Sequence, residues 1–335
     1  MKYSAGIGFA LVVAATGTGV GAESLMLAHG FNPNHYWSTQ IIEPWMACVE
    51  VGTSGEYSFQ NFPSGQIVKF AESMDAMRSG LTDVSTISVG YETTRLPLNG
   101  VSMLPDMGET SVQMVSAYRR MLDDGTILLD EFTNNDVQPL IVSLLPVYQL
   151  ITRSGPITTL DGLQGKVIRS SGGALTLTVN SLGASATEMP SSDVYVAFQN
   201  GVVDVAFAAI SSIKPYNLEE VVEGVSTNGQ FGSFATLLAM KTEIYAALPE
   251  ATRQVFDQCG LQVEKDVAIY LDAENETLKT ELSDMGIEVY DFPPEMQQVM
   301  LERMAPVTEE FITRLSQRGL PAKETYDAYR AALDE

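Results

Sequence analysis

Three observations predict an α/β fold of two lobes with a ligand cleft between them and a long helix spanning both. The chain has 335 residues, more than one core usually organises. Strand and helix patterns alternate in two separate runs. Late in the chain, apolar residues recur at 255, 259, 263, 267, 271, 278 and 282, a helical stripe about 35 residues long.

The first run begins at "SLMLAHGF" (24–31), an apolar strand, followed by "IIEPWMACVE" with helical spacing, which Pro44 either opens or bends. "GEYSFQNFP" alternates with period two and stops at Pro63. "KFAESMDAMRSG" is a helix ended by Gly80, and "DVSTISVG" is the next strand. This rhythm predicts parallel sheets with right-handed crossovers. The second run starts near Pro146. It reads as strand "VYQLIT", strand "KVIRS", a helix over about 174–182, strand "ATEMP", helix "SSDVYVAFQNG" and strand "VDVAFAA". "FATLLAM" is a further strand, and the long stripe follows, with Gly260 a possible break because glycine costs on the order of 1 kcal/mol inside a helix. No repeat of 20 to 50 residues links the halves.

Residues 1–22 read as a secretory signal peptide. Lys2 precedes an apolar run too short to span a bilayer, and Val20, Gly21 and Ala22 present small residues before a cut at Glu23. The mature chain is then exported, with no other segment suited to a membrane span. "GTGVG" (17–21) leaves with the signal and is no dinucleotide fingerprint.

The formal net charge is −23, a field that repels phosphate backbones and anionic lipid. Nucleic acid is thereby excluded as a partner, and an anionic ligand needs local donors to hold it. Two histidines, His29 and His35, are too few for a His-rich metal site, and no metal or cofactor is expected. Cys48 and Cys259 fit equally a disulfide in an oxidising compartment and two buried thiols. "SSIK" (211–214) satisfies S-x-x-K without the motifs that accompany it in serine acyl-transfer enzymes, and neither G-x-S-x-G nor H-E-x-x-H occurs. The chain is therefore read as a binder and not an enzyme, an exported hydrolase being the rival class.

In open α/β sheets, ligands sit at the carboxyl ends of strands near helix amino termini. Arg169 stands at such an end, followed by Ser170 and Ser171 as cap candidates and by Gly172 and Gly173, which let a ligand approach the backbone. A guanidinium offers two parallel donors that match a carboxylate. The same logic nominates Phe31 and Asn32 after the first strand, Ser88 and Tyr91 after the third, and Trp37 at the opening of the first helix.

"LDGLQGKVIRSSGG" and "LGASATEMPSSDVYVAFQNGVVD" resemble the signature of the DctP family, the periplasmic solute-binding proteins of TRAP (tripartite ATP-independent periplasmic) transporters. "FPSGQ", "DAMRSGLTDVS", "LP" at 104 and "ALPEATRQVF" are similar to further family motifs, so the resemblance spans nearly the whole mature chain. It implies a periplasmic-binding-protein-like receptor, monomeric, that closes on a small organic acid and delivers it to the membrane subunits of a sodium-coupled permease. Presentation of the ligand to a sensor kinase shares the same sequence features. The implied lobes are 24–147 with 235–274, and 148–234 with 275–335.

In the family the arginine of an "I-R" pair holds the ligand carboxylate, and Arg169 matches it. A second arginine, used by sialic-acid-type members, falls at Gln149. The family's "G-Q-E-N-P" is replaced by residues 205–209, so that Phe207 and Ala208 are expected to form a more apolar pocket wall. The implied ligand is a monocarboxylate with an apolar or aromatic body. Asp193 keeps the charge of the usual glutamate, Tyr195 is expected to be structural, and Arg153 is expected at the surface.

Overall fold

The computed structural model describes residues 23–125 and 127–335; the expected signal segment lies outside them. The chain first lays down β1 (Glu23–Ala28), α1 (Glu43–Gly52), β2 (Tyr57–Phe62), α2 (Ser73–Arg78) and β3 (Val84–Ser88). Two helices not singled out in the sequence, α3 (Ser111–Asp123) and α4 (Ile127–Thr133), lead to β4 (Val137–Leu144). The chain then crosses to a second lobe: β5 (Gln149–Thr152), β6 (Val167–Ser170), α5 (Ala174–Ser181), β7 (Ser185–Glu188), α6 (Val194–Gln199), β8 (Val205–Ala208) and β9 (Gly224–Ser226). It returns through β10 (Ala235–Lys241), α7 (Thr242–Ala247) and α8 (Glu250–Asp284), adds β11 (Glu288–Tyr290), and ends with α9 (Pro294–Gln317) and α10 (Ala322–Leu333).

Two sheets result, with strand orders β2-β1-β3-β10-β4 and β11-β9-β5-β8-β6-β7. They are mixed and not purely parallel. β10 arrives from the other lobe and runs antiparallel to both β3 and β4, and β5 runs antiparallel to β8 and β9. The reason is connectivity. A strand entering a lobe directly from its neighbour has no crossover helix to reverse it, whereas β1, β2 and β3 are joined through helices and stay parallel.

The long helix forms without a break, about 50 Å at 1.5 Å per residue. Phe256, Cys259, Val263, Val267 and Leu271 enter the core of the first lobe, while Leu278 and Leu282 enter that of the second. Gly260 is a packing residue and not a hinge: a Cβ there would stand 2.7 Å from the Leu140 carbonyl oxygen, so glycine lets α8 lie directly on β4. Glu264 adds a polar tie, accepting from Arg119 Nε (3.0 Å) on α3 and from the Val142 amide (2.7 Å) on β4.

The lobe expected from 275–335 does not describe the last helix. α9 packs on α5 of the second lobe, but α10 returns to α3 of the first. There the buried ring of Tyr329 meets Tyr118 edge-on at 6.4 Å.

Cys48 on α1 and Cys259 on α8 are joined in a disulfide, their Cα atoms 5.8 Å apart, which settles the alternative left open above. Opening it by Cys48→Ala with Cys259→Ala should lower unfolding stability by about 2–5 kcal/mol, read in denaturant melts of the oxidised parent and the double variant.

Candidate functional site

The carboxyl end of β1 begins the site. The chain turns through Gly30, where a Cβ would meet the Phe70 ring at 2.8 Å, so only glycine lets Phe70 lie edge-on to Phe31 at 4.6 Å. Phe31 stacks in parallel on Trp37 at 5.3 Å. Trp37 opens a π-helical segment, Trp37–Ile42, before α1. Such widened turns recur at functional sites because they redirect side chains that a regular helix would space evenly. Tyr91, which follows β3, and Phe234, on the return crossover, complete an aromatic lining with ring centres 5.3 Å apart.

These rings wall a small cavity between the lobes, about 20 Å3, room for about one water and well below the usual range for ligand sites. Ser88 and Thr236 line it as a mutually bonded hydroxyl pair, 3.0 Å apart. Leu145 and His35 complete the first lobe's share, and Ser191, Ser212 and Tyr216 face it from the second lobe. The connections at 145–148 and 232–234 pair with each other, Leu145 N–H to Phe234 O (3.2 Å) and Tyr148 N–H to Gly232 O (2.7 Å), so the hinge strands form one edge of the cavity.

Arg169 lies in the second sheet, its strand flanked by β7 and β8, and is 0% exposed. Its Nε donates to Met189 O (3.0 Å), Nη1 to Phe207 O (3.0 Å) and Nη2 to Ser191 Oγ (3.1 Å). A guanidinium carries five N–H groups, so two remain on the terminal nitrogens beyond these bonds, and the Tyr148 phenol also lies within hydrogen-bonding reach of the group. Among the described residues no carboxylate lies within ion-pairing distance of it. The charge of Arg169 reaches the phenols of Tyr148 and Tyr216. Burial pushes Tyr148 up to about 12, with Arg169 pulling it back, and drives Tyr216 well above its ordinary value, so both stay protonated donors.

Of the sequence-nominated residues, the structure gathers Phe31, Trp37, Ser88 and Tyr91 around this cavity, with Ser191 linking Arg169 to it. Four are placed elsewhere. Asn32 lines an adjoining outer groove and donates to Pro215 O (2.9 Å), a bridge between lobes. Gln149 is fully committed: its amide nitrogen donates to Val147 O and Gly229 O, and its oxygen accepts from Ser226 Oγ and Gly229 N. Phe207 turns its ring onto Phe231, 4.6 Å away, and contributes only the carbonyl that positions Arg169; Ala208 belongs to the second lobe's core. A strand alternates its faces, so residues adjacent to a strand end do not all reach the cavity. Arg153 is exposed, and Tyr195 donates to Glu220 on the outer surface.

Ser191, Ser212 and Tyr216 were missed, although the strand-end rule applied to β7 and β8 points to the segments that follow them. Gly172 also has another role than expected. Its Cβ, at φ +95°, would stand 2.5 Å from Gly90 O, and a Cβ on Gly90 would stand 2.6 Å from Ser171 O. The two glycines let the lobes touch backbone to backbone.

No group of three or more His, Cys, Asp and Glu suited to a metal occurs among the described residues. Residues 27–314 match the family model of the bacterial extracellular solute-binding proteins, family 7 (DctP). The chain belongs to that family. It is 24% identical over 229 residues to a solute-binding protein of Albidiferax ferrireducens, covering 68% of this chain and 67% of that one. Its fold is similar to a TRAP solute-binding protein from Rhodoferax ferrireducens solved with copurified benzoate, with TM-score 0.87 and 22% identity over 93% of this chain and 98% of the other. A TRAP periplasmic solute-binding protein from Bordetella bronchiseptica solved with bound mandelate gives TM-score 0.84 and 21% identity, covering 93% and 99%.

Gly90→Ala should hold the lobes apart. Ligand affinity should fall at least about tenfold without loss of folding, and small-angle scattering should show no compaction with ligand; unchanged compaction would show that the lobes close elsewhere.

Burial depresses His29 to about 4, against a smaller opposite pull from Asn61 alongside, and neither ring nitrogen makes a hydrogen bond of proper geometry. Burial, and then the nearness of His29, depress His35 to about 3. The unfolded chain takes up these protons first as pH drops. Their contribution to stability is therefore complete above about pH 6.5 and declines toward pH 4, with a slope of up to about 1.4 kcal/mol per pH unit per histidine. His29→Leu should melt within a few degrees of the parent at pH 7 and lose less on acidification to pH 4.5. An identical acid slope would show that His29 is not held neutral.

Proposed function

We propose that this protein is an extracytoplasmic receptor that captures a small monocarboxylate with an aromatic body and delivers it to the membrane subunits of a sodium-coupled TRAP permease. It acts as a monomer in the periplasm and returns its ligand chemically unchanged. The observation that carries this reading is Arg169, a wholly buried cation with no carboxylate partner among the described residues, held only by neutral acceptors. A buried charge is costly unless compensated, and a ligand carboxylate supplies the missing anion.

The cavity walls favour the aromatic body. Phe31, Trp37, Phe70 and Phe234 offer ring surfaces against which an aromatic body packs. The benzoate and mandelate held by the two similar structures are acids of this kind.

Closure follows from differential affinity. Arg169 and Ser191 belong to the second lobe and most of the aromatic wall to the first, while the Ser191 amide donates to Tyr91 Oη (3.2 Å) across the divide. A ligand gains both sets of contacts only in the shut form, and so shifts the population toward it.

Thermal shifts of residues 23–335 against aromatic, aliphatic, dicarboxylic and sugar acids test the reading. An aromatic monocarboxylate at 100 times its Kd should add about 2.7 kcal/mol of stability. Arg169→Ala should fold and lose at least about a hundredfold in affinity, with Arg169→Lys intermediate because the paired-donor geometry is lost. A sugar acid as the tightest ligand, or full affinity in Arg169→Ala, would overturn the assignment.

A further inference from the structure

We propose that His35 is a specificity-determining residue, whose Nε2–H receives a neutral hydrogen-bond acceptor on the ligand's ring, so that the receptor is built for a hydroxylated aromatic monocarboxylate and not a plain one. The inference rests on the function proposed above. It starts from the tautomer. The Trp37 amide donates to His35 Nδ1 at 3.0 Å, so the ring's proton resides on Nε2.

That second nitrogen has no hydrogen-bond partner among the described residues, yet it is not sealed within the protein, and His35 lines the cavity. The residue is only 2% exposed, and the open space it borders is this cavity. The imidazole is clamped there by Phe31 (4.5 Å), Tyr36 (4.6 Å) and Tyr216 (5.3 Å). It is thus a rigid donor aimed at the ligand.

His35 also sits at the end away from the carboxylate anchor. Arg169 stands in the sheet of the second lobe and meets the cavity through Ser191, whereas His35 follows β1 in the first lobe. Tyr216 spans the interval, its ring against His35 and its phenol within reach of Arg169. A ligand with its carboxylate on Arg169 therefore presents the far edge of its ring to His35.

The imidazole is kept neutral, so the matching group is a hydroxyl or ether oxygen and not a second carboxylate, which would draw a proton onto the ring. The hydroxyls of Ser88 and Thr236 bond each other, which leaves one O–H of that pair as a second, rotatable donor. A site that carries a buried donor discriminates against analogues that leave it unpaired.

The test is calorimetric titration of benzoate, 3-hydroxybenzoate, 4-hydroxybenzoate and phthalate into the full mature chain and two variants. The wild type should bind at least one hydroxybenzoate about tenfold or more tighter than benzoate, and phthalate weakest. His35→Asn, whose carbonyl can still accept from the Trp37 amide, should abolish the preference, bringing benzoate and the hydroxybenzoates within about threefold of one another. His35→Gln places an amide donor near the Nε2 position and should restore part of the preference. Equal affinity for benzoate and both hydroxybenzoates, tighter binding of phthalate, or a preference that survives in His35→Asn would overturn the assignment to His35. Failure of every aromatic acid to bind would instead overturn the function on which it rests.

Discussion

A single buried guanidinium organises this molecule. Arg169 lies inside a sheet, where an uncompensated charge is costly, and three protein acceptors hold it: Met189 O, Phe207 O and Ser191 Oγ. Two come from the segment after β7 and one from β8, so its neighbouring strands and their connections are arranged around it. Those three bonds fix the plane of the group, and the Tyr148 phenol stands beside it. In a chain of net charge −23, the local arrangement must overcome a long-range field that repels the anion it is shaped to take.

The remainder of the structure brings a second surface to face that cation and holds it in register. α8 is rigid across both lobes, tied to the first by the Cys48–Cys259 disulfide, by Glu264 with Arg119, and by the close approach that Gly260 permits. Burial raises the Glu264 carboxyl above its usual range while Arg119 pulls it back, so the pair works as a hydrogen-bonded tie more than as a source of net electrostatic stability. The paired crossovers at 145–148 and 232–234 join the lobes along one edge, and Gly90 with Gly172 lets them meet backbone to backbone.

Some of the site was legible because it obeys local rules. Arg169 announces itself as a cation where a strand hands over to a helix, and Phe31, Ser88 and Tyr91 follow strands whose apolar runs are plain. Gln149, Phe207 and Ala208 were nominated by comparison with family motifs, and the structure places them away from the cavity. They lie on strands, where neighbours alternate between faces, and a substitution relative to a family motif does not say which face it occupies. Tyr216 and His35 were harder still. Tyr216 reaches the cavity through a short 3-10 turn beyond β8, and the task of His35 depends on which of its nitrogens Trp37 occupies.

The sequence by itself determined the alternation of strands and helices, the apolar stripe of α8, the arginine and the family, because each is written in residues near one another along the chain. Only the tertiary structure decided that both sheets are mixed, that α10 returns to the first lobe, that Cys48 meets Cys259, and that rings from three distant segments close around one cavity. Periodicity and capping act over a few residues. Strand direction between lobes, disulfide pairing and cavity lining depend on where separately folded segments meet, and no local pattern encodes that meeting.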